Sequence, residues 1–77
     1  MSILPTLRAV KVIRALKKVG FVKIRQSGSH MQLRDSHNSK YCPTVPIHSG
    51  DLSRQVLRSI IKQAGLSVKE FLKLLDK

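Results

Sequence analysis

Cysteine is almost missing from this chain: Cys42 is the single thiol. One cysteine cannot close an internal disulfide, and it excludes any metal site built on several thiolates. A reducing, cytoplasmic setting is the expectation that follows. Acids are nearly as scarce. Asp35, Asp51, Glu70 and Asp76 are scattered along the chain, with no carboxylate cluster of the kind a divalent cation needs. No metal and no cofactor are expected. Tryptophan is absent, and the aromatics are Phe21, Tyr41 and Phe71. So few rings offer little for base stacking, and no base preference follows from them. Apolar runs are short, far below the roughly 18 residues of a membrane span. Met1-Ser2-Ile3-Leu4-Pro5 lacks the apolar core of a signal peptide, so neither a leader nor a membrane association is expected.

What the chain has in abundance is positive charge. Fifteen Lys plus Arg against four Asp plus Glu give a net +11 in 77 residues. Such an excess implies an anionic partner: nucleic acid, an acidic membrane surface or an acidic protein. The length suits one domain, residues 1–77, with a simple core. The 42% hydrophobic content is ordinary for a folded chain.

Along the chain, Leu7, Val10, Ile13 and Leu16 recur within a helix expected over Thr6–Val19, capped by Thr6 and ended by Gly20. From Phe21 the period changes to two. Val22 and Ile24 point one way; Phe21, Lys23 and Arg25 point the other. Ser27-Gly28 signals a turn. A second strand follows over Ser29–Arg34, with Met31 and Leu33 on one side and His30, Gln32 and Arg34 on the other. Asp35–Ser39 is a polar loop, where His37 is expected to be solvated. Tyr41–Ile47 reads as a third strand whose Pro43 and Pro46 suit an edge. Ser53–Ala64 reads as a helix with Val56, Leu57, Ile60, Ile61 and Ala64 on one face and Arg54, Arg58 and Lys62 on another. Ser67-Val68-Lys69-Glu70 is a capping box that opens a short third helix, with Val68, Phe71, Leu72 and Leu75 as its apolar positions.

Short connections favour an antiparallel meander. The fold class is therefore α+β: an α-β-β-β-α order with a further short α, and a three-stranded antiparallel sheet with its helices on one face. Val22, Ile24, Met31, Leu33, Val45 and Ile47 are expected beneath the helices. The other face stays open to water, and strand parity places Lys23, Arg25, His30, Gln32 and Arg34 on it.

Gly20-Phe21, Gly28-Ser29-His30, Val45-Pro46-Ile47-His48-Ser49-Gly50 and the run from Leu57 to Ser67 resemble, as an ordered set, the HicA toxins of HicA–HicB toxin–antitoxin modules. Many relatives carry Gly-Thr at the start of the second helix, where this chain has Gln55-Val56. The resemblance implies a fold similar to double-stranded-RNA-binding domains. It implies a small mRNA interferase, a monomer when free, that is neutralised in a hetero-oligomer by a HicB-like antitoxin. It also assigns the catalytic role to His30, which follows the Gly-Ser pair.

The chemistry suits those residue types. RNA cleavage needs a proton taken from a 2′-hydroxyl, a proton given to the leaving 5′-oxygen, and charge on the phosphorane offset. Histidine, with an ordinary pKa of about 6.5, can do either proton transfer near neutrality. Lys23 and Arg25 could stabilise phosphate oxygens. The backbone amides of Gly28 and Ser29 could contact phosphate, and Gln32 and Arg34 complete the candidate RNA surface. His48 and Tyr41 are candidates for a second proton-transfer group. Two other readings stay open: a module that binds RNA without cutting it, and a basic protein whose charge serves only an acidic partner.

Overall fold

The structure, a computed structural model, describes residues 4–75. Hydrophobic period largely decides where helices and strands form. Strand β1 (Leu7–Arg8) leads into helix α1 (Ala9–Lys18). Strands β2 (Phe21–Ser27), β3 (His30–Asp35) and β4 (Thr44–Pro46) follow, then strand β5 (Asp51–Leu52) and helices α2 (Arg54–Gln63) and α3 (Val68–Leu75). The α+β fold is the one expected. Strands β2, β3 and β4 form an antiparallel sheet in that order, with β3 central. A second small sheet pairs β1 with β5, Leu7 opposite Leu52.

The first helix is shorter than expected because Leu7 and Arg8 are extended and pair with β5. Thr6 is not its cap: the Thr6 hydroxyl donates to Asp51 Oδ2 at 3.1 Å, and Arg8 holds the N-cap position without a side-chain bond. The apolar stripe also differs. Ala9, Val12, Ile13, Ala15 and Leu16 are buried, whereas Val10 is 60% exposed. The reason is geometric: each three-residue step falls about 60° short of a helical turn, so a strict i+3 series winds off one face. Gly20 does end the helix, at φ +100°.

In β2 the expected alternation fails. Phe21 is buried and Val22 is 48% exposed. The ladder pairs Phe21 with Asp35, Val22 with Arg34 and Lys23 with Leu33, then skips Ile24 and resumes with Arg25 opposite Gln32. Ile24 is the extra residue of a β-bulge, which reverses side-chain parity across it. The third strand is shorter than Tyr41–Ile47. Pro43 and Pro46 carry no amide hydrogen, but the carbonyls of Tyr41 and Pro43 still accept from the amides of Asp35 and Leu33 at 3.0 Å each. On the outer side of β4, the Thr44 amide donates to Gln63 Oε1 at 3.1 Å.

The core gathers Phe21, Leu33 and Val45 from the sheet with Val12, Ile13, Leu16, Leu57, Ile60, Ile61 and Phe71 from the helices. Phe71 is fully buried. The Lys18 ammonium ties α1 to α3 through a 2.8 Å bond to the Leu74 carbonyl. Ser53 caps α2, its hydroxyl accepting from the Val56 amide at 3.1 Å. Val56 itself lies at the rim rather than in the core. Ser67 and Glu70 form both bonds of the expected capping box.

Candidate functional site on the open sheet face

The site is a small grid set by strand register. Ser27 and His30 face each other across the Gly28-Ser29 turn. Gly28 has φ +58° and Ser29 does not share the positive sign; this is the type II′ hairpin arrangement, which favours glycine at the first loop position. A Cβ at Gly28 would meet nothing within 4 Å, so the turn is open to close approach. On its other side His30 faces Pro46 of β4. The Ile47 amide donates to the Ser29 carbonyl, which fastens β4 beside the turn. His30 therefore sits on the central strand, held from both neighbours, with its side chain exposed.

One step further along the same face, Gln32 lies between Arg25 and Thr44. Arg25 and Thr44 are the diagonal neighbours of His30, about 7–8 Å away and within reach of long side chains. Arg25, Ser27, His30, Gln32 and Thr44 together line a shallow hollow. The Gln32 amide also contacts Cys42 Sγ at 3.7 Å, which orients it from the side.

Arg34 shares the face, opposite Val22, but lies four residues from His30, about 13 Å along the strand. Lys23 does not join it. Directly opposed residues share a face, so pairing with Leu33 directs Lys23 toward the helix side, across the bulge from Arg25. Tyr41 is at the far end of β3, its carbonyl bonded to the Asp35 amide. That is about 16 Å from His30, and the Tyr41 ring packs over Gly65 instead. His48 follows Ile47 in the loop nearest the turn and is exposed, with Nδ1 3.0 Å from the Ser49 carbonyl oxygen. His37 is exposed and lies 3.4 Å from Asp35, also at the far end of β3.

Thr44 and Ser27 are absent from the candidates read from the sequence. Thr44 was legible there: Val45 on the covered face puts Thr44 and Pro46 on the open one. The hollow offers an imidazole, a guanidinium, two hydroxyls and a carboxamide. Such a set can grip one phosphate and its adjoining ribose, and can move a proton. Among the described residues no group of three or more His, Cys, Asp or Glu gathers to hold a metal ion, and no helix is long and apolar enough to cross a membrane.

No curated protein sequence matches the chain. Residues 9–66 match the family model for the HicA toxin of bacterial toxin-antitoxin.

Proposed function

The chain belongs to the HicA toxins of bacterial toxin–antitoxin modules, a family whose toxins have a cognate antitoxin, and from that premise we propose that it is an endoribonuclease that cuts mRNA in the cytoplasm through His30. The observation that carries this reading is an exposed imidazole on the central strand that shares one hollow with Arg25 of β2.

In the proposed reaction a base removes the proton from a ribose 2′-hydroxyl. The freed oxygen attacks phosphorus, the bond to the 5′-oxygen breaks, and that oxygen takes up a proton. Neutral His30 can accept the first proton, or its protonated form can donate the second; a positioned group of this kind contributes about 10²–10⁴-fold. Arg25 offsets charge on the non-bridging oxygens, Gly28 and Ser29 offer backbone amides to the phosphate, and Gln32 and Thr44 orient the ribose. Arg34 holds a neighbouring phosphate along the strand. His48, at the same end of the sheet, is the candidate for the complementary proton transfer. Every acid, base and phosphate-binding group invoked here belongs to the protein. A HicB-like antitoxin would silence the toxin by covering this face.

Purified protein incubated with mRNA in EDTA should produce fragments ending in 2′,3′-cyclic phosphate and 5′-hydroxyl. His30→Ala should lose that activity. Full activity in His30→Ala overturns the assignment. Intact RNA retained with a log–log salt slope of about −0.7 per phosphate contact would identify a binding module instead.

A further inference from the structure

We propose that the antitoxin grips this protein at a second place, an apolar hollow behind the catalytic turn, using an aliphatic side chain flanked by carboxylates. The hollow lies between the outer face of α1 and the end of the sheet. Val10, Ile13, Met31 and Ile47 provide its apolar surface, and Arg14 and Lys17 border it. Val10 is the most exposed of the large hydrophobic residues described, at 60%. Nothing in the core explains an aliphatic side chain left on the solvent side of a helix otherwise lined with Arg and Lys.

The composition of the hollow selects its occupant. RNA presents hydroxylated riboses and charged phosphates rather than an apolar aliphatic side chain, and no aromatic side chain lines the hollow for a base to stack on. A second copy of the chain would bring another +11 against the same charge. An acidic protein segment satisfies both features: its apolar side chain fills the hollow while its carboxylates meet Arg14 and Lys17. The hollow is also continuous with the site. Met31 is the residue after His30 on β3, and the Ile47 amide is bonded to the Ser29 carbonyl of the turn. A partner anchored there sits against the back of the strand that carries the imidazole. Such an anchor lets an inhibitor compete with RNA for the open face through a contact RNA cannot imitate. The inference rests on the toxin reading only in naming the antitoxin as the partner.

The test is titration of the cognate antitoxin into the full-length protein and its variants, with RNA cleavage measured separately on the same samples. Val10→Ser should weaken antitoxin binding about tenfold, the scale of one lost apolar anchor. Val10→Met, which keeps the surface apolar, should stay within about twofold. Arg14→Glu with Lys17→Glu should weaken binding by about tenfold or more and flatten its salt dependence. RNA cleavage by Val10→Ser should be unchanged. Undiminished antitoxin affinity in Val10→Ser overturns the proposal whatever the charge variant does, as does failure of the antitoxin to bind the unaltered protein. Equal loss of RNA cleavage in Val10→Ser would assign the hollow to RNA and also overturn it. Because antitoxin affinity and RNA cleavage are separate readouts, failure of the endoribonuclease reading leaves the docking result intact.

Discussion

The Tyr41 ring fills the space that Gly65 leaves without a side chain: a Cβ at Gly65 would lie 2.6 Å from Tyr41 Cε1 and 2.7 Å from Cζ. Gly65 also holds φ +73° just past α2. Gly65→Ala should therefore cost about 2–4 kcal/mol, combining backbone strain with overpacking. Urea unfolding monitored by far-UV circular dichroism would show the lower midpoint. In a Tyr41→Ala background the additional cost of Gly65→Ala should shrink to the backbone part, about 1 kcal/mol. An equal cost in both backgrounds would mean that the ring plays no part.

The bulge at Ile24 separates two cations adjacent in pattern, with consequences for RNA. Arg25 shares the His30 face and Lys23 does not. Arg25→Ala should slow RNA cleavage by about 10²-fold, the scale of losing one transition-state donor, while Lys23→Ala should change it only severalfold. Single-turnover cleavage of a short RNA would measure both. Equal losses would contradict the register.

Glu70 should leave a pH signature. The Ser67 backbone amide, the Ser67 hydroxyl and Lys73 together hold its carboxyl below the ordinary 4.5. A carboxyl depressed on folding stabilises the folded state above its unfolded pKa, and that stabilisation is lost as pH falls through the folded value. The stability difference between the unaltered protein and Glu70→Gln should hold steady above pH 4.5 and narrow below it. Thermal unfolding across that range checks the sign; a gap that widens on acidification would refute it.

Ser53 caps α2 through the Val56 amide. Ser53→Ala should cost about 1 kcal/mol, readable as a lower denaturant midpoint. Ser53→Asp should restore most of it, because a carboxylate oxygen can accept the same amide and suits the positive end of a helix.

Much of the fold was legible because period and punctuation agree. Alternation through Met31, Gln32 and Leu33 put His30 and Gln32 on one face, and Gly20, Gly65 and the Ser67–Glu70 box mark helix ends. What was not legible depended on distant partners. Leu7 and Arg8 read as helix because nothing near them in sequence announces Asp51 and Leu52. The bulge carries no glycine to flag it, so strict alternation puts Phe21, Val22 and Lys23 on the wrong faces and Arg25, beyond it, on the open one. At the site, Thr44 sits between two prolines with no motif of its own to single it out, although the parity of Val45 exposes it.

The outer margin of β4 has a consequence for assembly. Its outward-facing amide at Thr44 is taken by Gln63, and Pro46 has none to offer. An incoming strand would find no free donor along that margin, so another chain cannot prolong the sheet there by β-augmentation. Fibre growth and donor-strand capture lose their donors on that flank, and a protein that covers β4 there must press against its surface rather than join its ladder.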